Sequence, residues 1–324
     1  MADLNPNLPG DDRWARDALT QLAFAAVTEQ RRARRWGIFF KFLFFGYLIG
    51  LLVLAWPDSF GTATVTAATK NHTALIRIDG LIASSTEASA KNVIEALRKA
   101  FKDEKTVGVI LEINSPGGSP VQSGEIYDEI QRLRGQHPKI PVHAVTSDVC
   151  ASGGYYIAAA AQNIYANKAS IVGSIGVRMD SFGFTDAIAK LGVERRAYTA
   201  GSNKDFLDPF KPVNPAEVQH LQGMLDAIHQ QFISAVKQGR GERLKENPDI
   251  FSGLMWTGEQ GIALGLVDAL GSSRSVAEEV IKEKTIVDYT RRTSWLDRLV
   301  ERTEVHLGAA LRHGLGLEGT TPWR

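Results

Sequence analysis

The chain has 324 residues, of which 44% are hydrophobic and 23% are charged. This ordinary apolar content excludes wholesale disorder and is sufficient for one large α/β domain or two smaller domains. A formal net charge of +1 argues against a general nucleic-acid-binding protein, and a single cysteine excludes an intrachain disulfide and a cysteine-built zinc site.

The first strong pattern is an apolar run at residues 38–56, which contains a single charge, Lys41. As a helix, this run is long enough to cross the hydrocarbon core of a bilayer, and Trp36 and Trp56 stand at its ends, where interfacial aromatic residues are common. It is preceded by Arg31, Arg32, Arg34 and Arg35. We therefore predict a transmembrane helix over residues 36–56 with a cytoplasmic N-terminus. The alternative is a cleaved signal peptide, whose apolar region is usually shorter.

The flanking sequence predicts a simple domain organisation. Residues 1–35 are polar and form a cytoplasmic arm, and residues 57–72 are rich in small residues and threonine, as expected of an extracytoplasmic linker. Residues 73–284 contain the patterns of a folded α/β domain. Residues 285–324 form a tail with an amphipathic piece at 295–311, which could pack on the domain, on a partner subunit or on the membrane surface.

Strand and helix patterns alternate along the folded domain. Short apolar runs predict strands over 74–78, 107–113, 141–145 and 171–177 and near 195–199. Helical spacing predicts a helix capped by Ser84 or Ser85, followed by helices over 121–133, 152–161, 185–191, 215–238, 258–264 and 275–284. Strands separated by helices predict an α/β fold with a largely parallel sheet.

Two glycine-rich loops follow predicted strands and are the first candidates for a site. One is the NSPGG segment at residues 114–118, and the other is residues 150–156, which open a helix. Because parallel strands end at the same edge of a sheet, both loops can face one cleft. Ser152, in the second loop, is interpreted either as a helix N-cap or as a nucleophile. In the second case the N–H of Gly153, with one from Gly117 or Gly118, could hold an oxyanion.

A nucleophilic serine requires a base. None of the seven histidines lies beside a glycine-rich loop, so a Ser–His–Asp triad is not indicated. A lysine can act as the base where an apolar site lowers its pKa. Lys204 follows a predicted strand and enters a glycine-serine loop, although a solvated loop lysine has the same pattern. Cys150 is the rival nucleophile, but no base is evident beside it, and a lone cysteine is commonly a small buried residue.

No cofactor is predicted. The sequence contains no His, Asp and Glu cluster with the spacing of metal ligands, and the Gly117-Gly118 pair lacks the Gly-Lys-Ser/Thr that would follow in a phosphate-binding loop.

Four features together resemble the signal peptide peptidase A family in its short bacterial form, whose members are membrane-anchored Ser–Lys serine proteases. They are Asn114–Gly118 (NSPGG), Ala151–Tyr156 (ASGGYY), Val172–Val177 (VGSIGV) and Lys204 in its loop. The resemblance runs from about residue 74 to 284. It implies that Ser152 is the nucleophile and Lys204 the general base, and that Ser174 orients this lysine. It also implies an oxyanion hole made by Gly117, Gly118 and Gly153.

The same resemblance implies a Clp-protease/crotonase-like spiral of parallel strands and helices. It further implies apolar peptide substrates such as cleaved signal peptides, a location in the bacterial inner membrane with the catalytic domain outside the cytoplasm, and a ring- or dome-shaped homo-oligomer whose sites are shared between subunits. Nucleic acid is not an expected partner. Two other classes stay open: a crotonase-type acyl-CoA enzyme, against which the export signal, Ser152 and Lys204 argue, and a catalytically silent oligomeric membrane scaffold of the same fold.

Overall fold

The computed structural model describes residues 11–55 and 70–291. The chain divides into two units, one made of Met1–Thr62 and Ser294–Arg324 and the other of Ala63–Thr293. In the first unit, α1 (Asp11–Ala55) is one continuous helix that covers most of the predicted arm and span. Among the described residues, no helix combines the length and the apolar character that crossing a membrane requires.

Some predictions for the chain ends fall outside the described residues. These are the first ten residues of the predicted arm, the side chains of residues 52–55 and all of Trp56 in the predicted span, residues 57–69 of the predicted linker, and the amphipathic piece at 295–311.

The second unit contains an eight-stranded sheet with helices along the connections. The strands are β1 (His72–Asp79), β2 (Thr106–Ser115), β3 (Val142–Ala151), β4 (Asn163–Ala166), β5 (Ile171–Gly173), β6 (Met255–Thr257), β7 (Ala269–Leu270) and β8 (Ile286–Asp288). The helices are α2 (Ala90–Lys102), α3 (Pro120–Gln136), α4 (Gly153–Ala158), α5 (Thr185–Lys190), α6 (Pro215–Arg240), α7 (Gly258–Ala263) and α8 (Ser273–Ser275), the last of which continues as a π-helical turn over Val276–Ile281. Two 3₁₀ turns lie at Gly241–Arg243 and Pro248–Phe251.

The sheet confirms the predicted parallel α/β architecture. Its main path runs β6-β5-β3-β2-β1-β8, and among these strands only the β5–β6 pair is antiparallel. Strand β3 changes partners along its length. Its first part pairs with β4 from His143 to Thr146, and its last part pairs with β5 from Val149 to Ala151. This change of partner brings β5 against the end of β3. Ser152, which follows β3, and Ser174, which follows β5, both lie in the cleft described below.

The central strands are apolar on both faces because helical segments cover both. In β2, Val109 and Leu111 belong to the larger hydrophobic cluster. Ile110, between them, packs in a second cluster with residues that include Val276 of the π-helical turn. Successive side chains of a strand point to opposite faces, so a strand covered on both sides is a nearly continuous apolar run. The nearly continuous apolar run over residues 107–113 is the pattern that predicts β2 from the sequence.

Several elements differ from the sequence predictions: β4, β6 and β7 were not predicted, the strand predicted over 171–177 ends at Gly173, and three further differences concern residues 195–199, the first helix of the domain and β8. Residues 195–199 are not a strand, because no strand of the described chain pairs with them and Tyr198 is 90% exposed.

The first helix of the domain begins at Ala90 after Ser89, not at a Ser84 or Ser85 cap. The Thr86 hydroxyl instead holds a turn by donating to the Leu81 and Ala83 carbonyls, a local bonding that competes with helix formation. Strand β8 lies within the predicted tail 285–324 and pairs with β1.

The end of α6 is tied to the sheet by a buried ion pair. Arg240 is 1% exposed, and its guanidinium donates to both carboxylate oxygens of Asp268 at 2.8 and 2.9 Å. Burial raises the pKa of Asp268, but hydrogen bonds from Arg240 and from the Ile164 N–H outweigh it, so the pKa lies below its usual value. This pairing fixes the C-terminal end of α6, whose middle turns line the candidate site.

Candidate active site

The two glycine-rich loops lie side by side, as the sequence predicted. Strands β2 and β3 are parallel neighbours, and Ser115 near the end of one pairs with Cys150 near the end of the other. Residues 116–118 and 152–154 therefore leave the sheet at the same edge. Four residues of these loops line a cleft of about 1110 Å³: Pro116, Gly118, Ser152 and Gly153.

Ser152 occupies a strained position at the turn from β3 into α4. Its backbone has φ 50° and ψ −121°, in a region that residues with a Cβ rarely adopt and that costs on the order of 1–3 kcal/mol. The Ser152 N–H donates to the Gly173 carbonyl at 2.8 Å, and the Ser152 carbonyl accepts from the Tyr156 N–H at 2.9 Å. The side chain makes no capping hydrogen bond, so the N-cap interpretation does not hold. Strain of this kind is characteristic of a nucleophile at a strand-to-helix turn.

Gly117 makes the close approach between the two loops possible. A Cβ at this position would stand 2.6 Å from the Cβ of Ser152, and φ is +106°. The Gly117 N–H is already used, because it donates to the Ser115 hydroxyl at 3.1 Å. The predicted oxyanion donor Gly117 is thus engaged within the loop, and the next N–H, that of Gly118, is the candidate that this loop offers.

Gly118 lies opposite Ile82 in an isolated parallel bridge. The bonds of this bridge run from the Ile82 N–H to the Gly117 carbonyl at 2.9 Å and from the Ser119 N–H to the Ile82 carbonyl at 2.8 Å. In this arrangement the N–H of Gly118 itself points away from Ile82. No described residue accepts a hydrogen bond from it.

Gly153 supplies the second candidate donor. It is the first residue of α4, so its N–H has no acceptor within the helix. A Cβ on Gly153 would lie 3.3 Å from the Gly118 nitrogen, which places these two residues against each other. Two main-chain N–H groups without backbone acceptors thus lie next to a strained serine, the arrangement that oxyanion holes require.

Ser174 lines the same cleft as Ser152. It follows β5 directly, has φ 52°, and donates its N–H to the Leu254 carbonyl at 2.7 Å. The preceding residue, Gly173, accepts the hydrogen bond from the Ser152 N–H, so β5 carries Ser174 to the nucleophile candidate.

The structure does not bring Lys204 to this cleft. Lys204 lies on a series of turns, is exposed, and donates its N–H to the Gly201 carbonyl at 3.2 Å. It is not among the residues that line the cleft. It belongs to an exposed arm, residues 178–213, in which no residue is buried. Large apolar side chains are exposed along this arm, at Met179, Phe182, Phe184, Leu191, Val193, Tyr198 and Val213.

Cys150 is poorly suited to the role of nucleophile. Its side chain is fully buried, and burial raises the pKa of the thiol to about 12. A thiol with this pKa holds almost no thiolate near neutral pH, and the thiolate is the reactive form. Among the described histidines, none lines the cleft, and His229, on the cleft-lining helix α6, is hydrogen-bonded through its Nε2 to the Ile175 carbonyl at 3.1 Å.

Helix α6 forms a wall of the cleft that sequence reasoning missed. Ile228 and Phe232, one turn apart, line the cleft, and Phe232 stacks on Tyr156 with ring centroids 4.9 Å apart. The four-residue spacing of these two apolar residues along the predicted helix is the sequence feature that could have indicated this wall. Further apolar lining comes from Val121, Val177 and Met255 and from two prolines, and the charged lining residues are Glu125, Asp128 and Arg178. The walls therefore offer apolar side chains for a ligand together with charged groups and main-chain polar groups.

No metal site is evident in the part of the chain that the structure describes, because no three side chains of the His, Cys, Asp and Glu types converge there.

A strained serine beside main-chain N–H groups, at the strand ends of a parallel α/β sheet, is an arrangement typical of serine hydrolases. The sequence pattern of the Clp protease family matches residues 69–171, which span β1 to β4, and confirms the predicted fold. The sequence pattern of Peptidase family S49 matches residues 134–287. A "putative protease" of Synechocystis is 35% identical over 225 residues, which are 69% of this chain and 76% of that protein. The chain belongs to peptidase family S49.

For two other relatives, the chain covers a smaller share of the relative's length. A "putative signal peptide peptidase SppA" of Enterococcus faecium is 30% identical over 223 residues, 66% of this chain and 64% of that protein. A protein of Brucella abortus named Na(+)/H(+) antiporter NhaA is 50% identical over 188 residues, which are 58% of this chain and 25% of that protein. The chain thus spans from a quarter to just under two thirds of the length of these two relatives.

Proposed function

We propose that this protein is a serine endopeptidase that hydrolyses apolar peptides, including cleaved signal peptides, through an acyl-enzyme on Ser152 with Lys204 as the base. The observation that carries the proposal is the strained backbone of Ser152 next to the Gly118 and Gly153 N–H groups. Membership of a peptidase family supports the same reaction class.

The reaction proceeds in two halves. The neutral amine of Lys204 takes the proton of the Ser152 hydroxyl, and the oxygen attacks the peptide carbonyl carbon. The negative charge on the carbonyl oxygen is held by the N–H groups of Gly118 and Gly153. The lysine then gives its proton to the leaving amine as the C–N bond breaks. In the second half, water loses a proton to the lysine, attacks the acyl ester, and Ser152 leaves with its proton restored.

The catalytic lysine comes, in this proposal, from a second copy of the chain. Lys204 is outside the cleft of its own subunit and lies on the exposed arm, residues 178–213. Exposed apolar side chains along this arm form a surface that another subunit can cover. A neighbouring copy whose cleft meets the arm places Lys204 beside Ser152 and Ser174, and Ser174 then orients the amine. The protein acts as a ring- or dome-shaped homo-oligomer.

The membrane location is proposed from the sequence pattern of residues 36–56. Arginines before this segment favour a cytoplasmic N-terminus and an extracytoplasmic catalytic unit in a bacterial inner membrane. The described apolar side chains between Trp36 and Leu51 are exposed, as lipid-facing side chains would be in an anchored protein.

The test uses the full chain in detergent or vesicles with a fluorogenic apolar peptide. Wild type is compared with Ser152→Ala and Lys204→Ala, after sizing shows that all three assemble alike. We expect both variants to lose turnover. If Ser152→Ala retains it, the nucleophile assignment is wrong. If the wild type neither turns over peptide nor reacts with a serine-directed phosphonate, the catalytically silent scaffold is the better description.

A further inference from the structure

One buried hydroxyl beside the candidate oxyanion site has no hydrogen-bond partner among the described residues. Ser123, in the first turn of α3, is fully buried, and its Oγ makes no hydrogen bond to any described residue. A buried hydroxyl without a partner destabilises a fold, and such groups are uncommon in native proteins. The position of Ser123 therefore calls for an explanation other than stability.

The local structure holds Ser123 firmly. The Ser123 N–H donates to the Ser119 carbonyl at 3.0 Å, which is the first hydrogen bond of α3. The Ser119 N–H is itself bonded to the Ile82 carbonyl, and its hydroxyl accepts from the Gln122 N–H. The first turn of α3 is thus attached to the same bridge that orients Gly118.

The hydroxyl of Ser123 lies directly behind the two candidate oxyanion donors. A Cβ on Gly153 would stand 2.4 Å from the Ser123 Oγ and 3.3 Å from the Gly118 nitrogen. The Cα–H of Gly153 therefore points at the Ser123 oxygen, and the Gly118 nitrogen lies on the same side of Gly153. Gly118 and Gly153 line the cleft whereas Ser123 does not. The hydroxyl occupies the layer immediately below the surface that would bind the oxyanion.

We propose that Ser123 is a positioning residue for peptide hydrolysis, and this inference rests on the function proposed above. Its oxygen keeps Gly153 and Gly118 at the separation that makes their N–H groups converge. Its hydroxyl proton, which no described acceptor holds, turns toward the negative charge that develops on the substrate oxygen. In a buried site such a dipole acts with little screening. The unpaired hydroxyl lowers the stability of the free enzyme, and in the transition state its dipole stabilises the negative charge on the substrate oxygen.

The experiment compares full-length Ser123→Ala with wild type. Three quantities are measured: kcat and KM on a fluorogenic apolar peptide, the rate at which a serine-directed phosphonate labels Ser152, and Tm. We expect kcat and the labelling rate to fall about tenfold, less than for loss of a direct oxyanion donor, while KM changes by less than about twofold. We expect Tm to stay the same or to rise, because the variant removes an unpaired buried polar group.

The matched control is Ser89→Ala. Ser89 is also a buried serine at the start of a helix, makes no capping hydrogen bond and does not line the cleft, so all three quantities should stay near wild type. A Ser123→Ala protein that keeps its kcat overturns the inference, and so does a loss of kcat that follows a matching loss of Tm or of assembly. Failure of the proposed function looks different, because either Ser152→Ala would then retain turnover or the wild type itself would show neither turnover nor phosphonate labelling.

Discussion

The most informative prediction concerns the sharing of sites between subunits. Ser152 lies in a cleft that Lys204 of the same chain does not reach, and Lys204 lies on the exposed arm. Ser152→Ala and Lys204→Ala are each expected to be inactive alone. Co-expressed in one cell with different affinity tags, they should form mixed oligomers that regain activity. In these oligomers, some clefts hold an intact serine and face an intact lysine of the neighbour.

The size of the recovery follows from this arrangement. A complete site needs a Lys204→Ala subunit as the serine donor and a Ser152→Ala subunit as the lysine donor. With equal and random incorporation in a ring of head-to-tail contacts, each condition is met half of the time, so about a quarter of the wild-type sites are complete. Turnover and the titre of phosphonate-reactive serines should both be near that fraction.

The assay purifies mixed oligomers through both tags in sequence. The control is a mixture of the two variants that were purified separately and kept under conditions without subunit exchange, which should stay inactive. If the doubly tagged oligomers are as inactive as each variant alone, then Lys204 does not act in a neighbouring subunit. The exposed arm would then have to close over the cleft of its own chain, or another base would have to be sought.

Three further results are expected. Gly153→Ala should abolish turnover and lower Tm, because its methyl would stand 2.4 Å from the buried Ser123 hydroxyl. Its control is Gly135→Ala in α3, which has open space around it and should keep activity and gain up to about 1 kcal/mol of stability. Cys150→Ala should keep its turnover, and iodoacetamide should not inactivate the wild type, since burial raises the pKa of this thiol to about 12; thiol-dependent inactivation would refute the assignment. Hydrogen bonds from Arg132 and Arg98 hold the pKa of Glu129 at about 2, below its unfolded value. The stability that this lowered pKa provides is present above the unfolded pKa and is lost as pH falls through about 2. In urea titrations, Glu129→Gln should therefore be less stable than wild type at neutral pH, with a gap that narrows on acidification; a gap independent of pH would contradict this.

The central elements were accessible from sequence because their causes are local. Strand β2 is a continuous apolar run, since helical segments cover both of its faces, and α6 begins at Pro215 after an Asn214 cap that accepts the Ala216 N–H. The two glycine-rich loops were placed at one edge of the sheet by a rule of parallel topology, and the register of β2 against β3 agrees with that rule.

Other features depend on contacts between distant parts of the chain. Strands β6, β7 and β8 have two or three residues each, which is too short to show a period, and they exist because a neighbouring strand offers free hydrogen-bonding groups. Residues 195–199 were predicted as a strand, but they are all exposed and no strand among the described residues pairs with them. Propensity alone cannot distinguish the two cases.

The sequence by itself determined the parallel α/β class, the apolar run near the N-terminus and the two glycine-rich loops, one of which carries Ser152. Only the tertiary structure decided that Ser152 is strained and does not cap its helix, and that Ser123 lies against Gly153 beside Gly118. The tertiary structure also decided that the Gly117 N–H is engaged, whereas no described residue accepts a hydrogen bond from the Gly118 N–H. It also decided that Lys204 stands apart from the cleft of its own chain. The physical reason is that residue type and spacing specify local backbone preferences, whereas the direction of an N–H group and the distance between two loops are set by hydrogen bonds and packing between segments far apart in the sequence.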